Sequence, residues 1–495
     1  MSNSIWRRKP ISAFEADMKK SELKRVLTKW GLTSLGIGAV IGGGIFTLTG
    51  IAAHDFAGPA LALSFVIAGV GCVFAALCYA EFASVLPVEG SAYAYAYGTV
   101  GEFFAWFIGW NLILEYMMGA TTVAVAWSGY FGKLLHLFHI NLPLWMMYDT
   151  TTAAAKAIEL GVAAPSFAFN LPAFLITWVV TAILVKGIKE AASTNNIIVI
   201  VKLAVVLFVI IVGAFYVDTA NWHPFIPATV TDPVTLKESF GWNGVITAAT
   251  IVFFAYIGFD AVSTQAGEAI NPKKDVPFAI IASLIICTVL YILVSLVLTG
   301  MVPYNKLDIT APVASAFEGV GLTWAVFLIV IAATAGLFSV MLVMMLAQTR
   351  IFLGMAKDGL LPRGLFGDLH PTFKTPYKST ILVGLIVSIV AAVTPINKIS
   401  EMCSMGTLLA FAMVSAAVML LRYTKPELER PYRTPAVYVI GTLGVAFNLF
   451  LMKFVRPETW IAFLVWGTIG VIVYFAYSYK RSNLHNSTDQ NQDTV

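Results

Sequence analysis

Residues Gly38 to Phe46 read GAVIGGGIF, and four of these nine positions are glycine inside a run otherwise apolar enough for a helix in lipid. At bilayer depth an unsatisfied backbone group costs several kcal/mol, so helix breakers there need a purpose. Gly38-Ala-Val-Ile-Gly42 fits the G-x-x-x-G spacing that lets helices pack closely. Gly43 and Gly44 follow at once, and three consecutive glycines weaken a helix by roughly 1 kcal/mol each. A packing groove does not need that much, so the helix is expected to break here.

The rest of the chain supports membrane depth. Of 495 residues, 59% are apolar and 12% charged, and the mean hydropathy is +0.82, against roughly 25% charged residues in a soluble domain. With about 20 apolar residues needed per crossing, the sequence predicts twelve transmembrane helices near 30–52, 59–83, 102–128, 170–188, 195–217, 242–267, 277–300, 322–348, 380–395, 400–421, 435–454 and 459–478. The first thirty residues are polar and basic, so no cleavable signal peptide is expected. The fold class is an all-α integral membrane protein. Residues 1–29 form an N-terminal segment able to lie on the inner surface, 30–421 hold spans one to ten, 422–480 spans eleven and twelve, and 481–495 a polar, disordered tail.

Lysine and arginine set the orientation, because cytoplasmic loops retain positive charge. With both termini inside, twenty-three of the 31 fall on the cytoplasmic side, seven fall outside, and Lys202 lies within span five. The basic balance thus reflects topology, and no nucleic-acid partner is expected. Cys72, Cys78, Cys287 and Cys403 all sit in apolar segments and read as small buried hydrophobes. The six histidines lie in loops or near span ends without H-E-x-x-H or Cys/His spacing, so neither a metal site nor an embedded enzyme is expected.

Broken helices in transporters recur at corresponding positions of two inverted repeats, where they line a cavity. Five spans after the first, span six carries FFAYIGFDAVST from Phe253 to Thr264, with Gly258 and the ionisable Asp260 in mid-membrane. The two breaks fit a five-plus-five repeat. Unwinding exposes amide N–H groups where positive charge gathers and carbonyls where negative charge gathers. A zwitterion fits between them: Gly42, Gly43 and Gly44 would take an α-carboxylate on backbone N–H groups. The carbonyls of Val40, Phe254, Ala255 and Ile257 would take an α-ammonium, with Ile41 in the same binding stretch.

Three long motifs carry a family resemblance: GLTSLGIGAVIGGGIFTLTG, CYAEFASVLPVEGSAYAYAYGTVGEFFAWFIGWNLILEY and FFAYIGFDAVSTQAGEAINPKKDVP. Together they resemble the amino acid-polyamine-organocation (APC) superfamily, and within it the bacterial cationic amino acid transporter subfamily. The resemblance implies a LeuT-type fold of ten core helices plus two accessory ones in a bacterial cell membrane, and amino acid transport by alternating access. It implies the same backbone roles for the two breaks, with Phe254 as the outer gate. The position matching Gly43 often carries Ser or Ala in relatives; here carboxylate binding must rely on backbone.

Ionisable groups within spans are functional candidates by default. Lys202 in NNIIVIVKLAVVLF lies too deep to snorkel with ease. In relatives resembling this chain, a lysine on span five projects its ammonium between spans one and eight, where sodium-coupled members of the fold bind a cation. Lys202 is therefore expected to stand in for sodium, and an amine in apolar surroundings can exchange its proton. Proton coupling without sodium, and without any cofactor, follows. Glu115 and Asp260 are the other deep acids, each either a packing group or part of a proton relay, whereas Glu81 near the end of span two reads as structural. Asn195 and Asn196 read as capping residues at the start of span five. On span eight, GLFSVMLVMMLAQ carries Met341, Met344 and Met345, and family alignment points Met344 at the site, where a thioether would shorten the pocket. A small neutral amino acid such as alanine is the expected substrate, with arginine or lysine second; antiport and a flux-free amino acid sensor are the competing modes.

Overall fold

The computed structural model of the protein describes residues 6–10, 27–86, 91–187, 191–231 and 238–485, save the side chains of residues 91, 191–196, 264 and 267. Much of the N-terminal segment expected at 1–29 and the tail from 486 onward lie outside these residues, whereas Asn195 and Asn196 fall inside a helix over Ala191–Gly213 and not at its start, so they do not cap it.

The regular structure of the described residues is helical apart from two short antiparallel strands, β1 (Val230–Thr231) and β2 (Glu238–Ser239), and a single bridge between Leu27 and Ala269. The principal helices are α1 (Lys29–Val40), α2 (Leu61–Val85), α3 (Ser91–Thr99), α4 (Glu102–Leu137), α5 (Leu171–Lys186), α6 (Ala191–Gly213) and α7 (Gly241–Val252). They continue with α8 (Pro272–Met301), α9 (Thr323–Lys357), α10 (Tyr377–Val393), α11 (Ile396–Thr424), α12 (Val437–Met452) and α13 (Pro457–Val473). Among the described residues, seven helical segments are long and apolar enough to cross a membrane, and α5, α10 and α12 are shorter apolar helices. Their outward faces carry large apolar residues such as Ile200, Ile211, Ile285 and Leu464, which suits lipid and not water.

Span one is not a continuous helix. Thr28 caps α1 by accepting from Gly31 N–H at 3.2 Å, and the helix stops at Val40. Ile41 turns extended with ψ 102°, and the chain resumes as a π-helical turn over Gly44–Leu48, then Thr49–Ala52 and Ala53–Ala57. Gly58, at φ +59°, reverses it into α2. Span six ends its α-helix at Val252, tightens into a 3₁₀ turn over Phe253–Tyr256, and passes through Ile257 (ψ 132°) and Gly258 (φ +115°). It resumes as 3₁₀ helix over Asp260–Glu268, where an α-helical half was expected. Helices α4 and α9 run to 36 and 35 residues, beyond the apolar stretches predicted for them. The extra turns carry Lys133 on α4, and Arg350 and Lys357 on α9; a helix has no need to stop where the lipid does.

Helices from early and late in the chain pack together. Helix α9 lies along α4, α8 along α2 and α1, α11 along α4, and α10 along α5. At one end of the bundle the buried Glu81 carboxylate accepts from Arg422 Nε at 2.6 Å, Arg422 Nη2 at 2.9 Å and Thr434 N–H at 2.8 Å, with Arg430 Nε at 3.3 Å. A buried carboxylate needs such pairing, and the structural reading of Glu81 stands. At the other end Asp308 accepts from Lys156 Nζ at 2.9 Å, from Thr310 N–H at 2.7 Å and from Ala311 N–H at 2.8 Å.

Candidate functional site

The two breaks adjoin. A side chain on Gly44 would run into the backbone and Cβ of Ala255, and one on Gly258 would meet the Ala39 carbonyl at 3.1 Å. Tyr291 of α8 spans the junction: its hydroxyl lies 2.9 Å from both the Val40 and the Ala255 carbonyl oxygens. A hydroxyl has one proton to donate, so the two carbonyls share it. Tyr256 anchors the 3₁₀ turn of span six by donating to Phe65 O on α2 at 2.7 Å, and Tyr130 of α4 donates to Phe46 O at 2.6 Å.

A helix leaves its last carbonyls without partners. At the end of α1 they are taken up by side chains from other spans. Lys202 Nζ donates to Gly38 O at 2.5 Å and to Ile41 O at 3.1 Å. Lys202 is 1% exposed, so it does not snorkel. Its stem lies on Gly336 of α9, where a Cβ would meet Lys202 Cδ at 2.6 Å. The ammonium thus sits at the carbonyl end of α1 with α9 alongside, between spans one and eight.

The glycines divide their work. A Cβ on Gly38 would collide with Val199 of α6 and one on Gly42 would meet Val340 of α9 at 3.2 Å, so both permit close helix packing, the alternative reading of G-x-x-x-G. Gly44 accommodates Ala255. At Gly43 the surroundings are ordinary contacts: Ala126 at 3.4 Å, and Phe254 and Val123 each at 3.8 Å. Two stripes flank this point, Gly119, Val123 and Ala126 on α4 and Gly336, Val340 and Met344 on α9, each at helical i, i+3 or i+4 spacing. Met344 Sδ lies 2.8 Å from where a Cβ on Gly119 would be. The contacts here are therefore apolar, with Phe254 next to Gly43.

Glu115 and Asp260 are both buried and close enough to interact, with Tyr116 and Cys403 beside them. Cys403 Sγ donates to the Glu115 carbonyl at 3.0 Å, and Gln348 of α9 donates to Ile113 O at 3.3 Å. The pair lies a turn from Gly119 along α4, away from Ala126. Of the expected site residues, Gly44 adjoins Ala255, Gly43 adjoins Phe254, Gly42 adjoins Val340, and the Val40 and Ala255 carbonyls share Tyr291, while Lys202 holds the Gly38 and Ile41 carbonyls and Met344 lies against Gly119.

The amino acid permease family model matches residues 27–476. The chain belongs to the amino acid permease family, in the APC superfamily. It is 44% identical over 483 residues to the methylthioribose transporter of Bacillus subtilis (strain 168), covering 98% of this chain and 100% of that protein. It is also 44% identical over 487 residues to the branched-chain amino acid permease BcaP of the same organism, again covering 98% and 100%. The vacuolar cationic amino acid transporter 4 of Arabidopsis thaliana is 37% identical over 431 residues, covering 86% of this chain and 68% of that protein. The family and these relatives are transporters, not enzymes.

The permease's sequence did not by itself point to Tyr291, Gly336 or Gly119. Tyr291 was detectable only as a hydroxyl amid an apolar span, and the two glycines look like ordinary packing residues. The carbonyls expected to hold an ammonium also have protein donors: Val40 and Ala255 share Tyr291, and Phe254 O accepts from Ile257 N–H at 3.1 Å. Each carbonyl oxygen keeps a second lone pair for a ligand.

Proposed function

We propose that the protein is a secondary active transporter of a neutral aliphatic L-amino acid, coupled to protons, in a bacterial cell membrane with both termini cytoplasmic. In this reading the helices make twelve crossings in a LeuT-type five-plus-five arrangement with spans one and six broken at the substrate. The observation that carries it is the Lys202 ammonium on the Gly38 and Ile41 carbonyls, beside a junction where two interrupted helices meet. A fixed cation there leaves no need for a bound metal ion, and a proton leaving or joining the amine changes the hold on α1. Glu115 and Asp260 are the groups placed to pass a proton onward. Substrate carboxylate binds the Gly42–Gly44 amides, and its ammonium binds the spare lone pairs of Val40, Phe254, Ala255 and Ile257. The apolar walls of Val123, Ala126, Val340 and Met344 favour a short aliphatic side chain over a cationic one.

The test is uptake of labelled amino acids into liposomes carrying the purified protein, with pH gradient, sodium gradient and internal amino acid varied separately. A pH gradient alone is expected to drive alanine accumulation. Accumulation driven by sodium alone removes the role given to Lys202, a requirement for internal amino acid identifies antiport, and binding without flux identifies a sensor. Met344→Ser is expected to admit longer side chains, and an unchanged substrate ranking would remove Met344 from the pocket. The 44% identity to a methylthioribose transporter favours a second reading, a thioether sugar as cargo. Methylthioribose that displaces bound substrate while alanine, valine and leucine do not would establish it.

A further inference from the structure

On α4 the space above Gly119 is filled by the end of another residue. Met344 Sδ occupies it from α9, 2.8 Å from the position a Cβ would take, and Cys403 Sγ lies 3.6 Å from the same position. Cys403 is fixed there by donating to the Glu115 carbonyl at 3.0 Å. One turn up α4 from Gly119, Val123 lies 3.8 Å from where a Cβ on Gly43 would be, and one turn up α9 from Met344, Val340 packs on Gly42. Met344 therefore lies one turn from Val340 along α9, with its thioether tucked toward α4. A side chain is as flexible as any in a core when it is methionine, so what decides its position is the room it is given.

We propose that Gly119 is the positioning residue for Met344 and thereby sets the length of the substrate side chain; this rests on the amino acid reading above. Its missing Cβ lets the sulfur lie back against α4 at the pocket wall, without reaching further in. A methyl group at 119 closes that place, and because Cys403 blocks the neighbouring flank, the thioether moves toward Gly43 and shortens the pocket.

The experiment is displacement of labelled alanine by unlabelled alanine, valine and leucine from detergent-purified protein, with thermal stability measured in parallel. Gly119→Ala is expected to weaken leucine relative to alanine by about tenfold, the effect of about one methylene in a closed pocket. Met344→Ala widens the pocket, and adding Gly119→Ala to it is expected to leave the leucine-to-alanine ratio within about twofold. That double variant lacks the clash, so it keeps the idea testable if the single one does not fold. A ratio unchanged in Gly119→Ala, or one that shifts equally with and without Met344, overturns the proposal while leaving amino acid binding intact. A wild-type protein that binds none of the three overturns the functional reading and this inference with it.

Discussion

The two helix breaks reach the same result by different means. Span one spends three adjacent glycines, and the structure uses them mainly as missing side chains, for Val340 at Gly42 and Ala255 at Gly44. Span six uses a single glycine for its backbone angle: Gly258 sits at φ +115°, a conformation that L side chains rarely adopt. The first break is thus a matter of approach and the second a matter of turning. The carbonyls freed at each are then claimed by tyrosine and lysine side chains of spans five and seven, so a ligand proposed for this junction would compete with protein donors instead of meeting bare backbone.

The sharpest break in this comparison comes from Gly44→Ala. Its Cβ would press on the Ala255 backbone, which cannot swing aside as a side chain end can, and overpacking against a fixed partner costs ~3 kcal/mol or more. Loss of folded protein, or of all amino acid uptake, is the expected outcome by size-exclusion profile and liposome assay. Normal uptake would mean the two breaks part during transport further than their contact here allows.

Next in size is Lys202→Ala, which strips the donor from two carbonyls on the first break and touches nothing at the second. Each orphaned carbonyl costs roughly 1 to 3 kcal/mol. Accumulation driven by a pH gradient should fall to the level of empty liposomes while some substrate binding survives. Unchanged accumulation would sever the lysine from coupling.

How far the sequence could be read follows the same division. The first break was legible because three adjacent glycines weaken a helix more than a packing groove requires, although Gly42 and Gly44 turn out to serve close approach, and Lys202 because a charge in an apolar run is conspicuous. The second was legible as a place but not as a geometry: nothing in DAVSTQAGE distinguishes a 3₁₀ continuation from an α-helical one. Gly336, Gly119 and Tyr291 were not legible, since what each does depends on which residue of a distant span lies opposite. Span ends were read too short on α4 and α9, because hydropathy reports where lipid is and not where helical hydrogen bonding stops.

A third test separates the far end of span one from its break. Asp308 packs its own carbonyl on Gly50. Burial alone would raise its carboxyl, but the Lys156 ammonium and the Thr310 and Ala311 hydrogen bonds outweigh that and hold it at about 2, below the ordinary 3.8. A depressed carboxyl contributes stability that is complete above 3.8 and is lost as pH falls toward about 2. Asp308→Asn should therefore lower stability at neutral pH by about 2 kcal/mol, read as a lower unfolding temperature. The difference from wild type should vanish at the acid end of that window. A constant difference at every pH would place the effect in packing.

Smaller again is Tyr291→Phe, which removes the one proton shared by the Val40 and Ala255 carbonyls and with it the tie between the breaks. About 1 kcal/mol is expected, or several-fold in apparent affinity for alanine. Tighter binding in the variant would show that the hydroxyl competes with the substrate ammonium.

The smallest effect is expected at the centre of the glycine run. Gly43 has ordinary contact distances to Ala126, Val123 and Phe254, and its φ of −56° is one any residue adopts. Gly43→Ala therefore creates neither a clash nor backbone strain, and stability should change by less than about 0.5 kcal/mol. The methyl group would, however, stand beside Phe254, on the side where a substrate carboxylate would approach the amides. Binding of alanine should weaken only a few-fold while Gly44→Ala, one residue away, abolishes it. Were the two variants equally damaging, the run would be acting as a uniformly flexible hinge, and the assignment of Gly42 and Gly44 to close approach and of Gly43 to the ligand would fail.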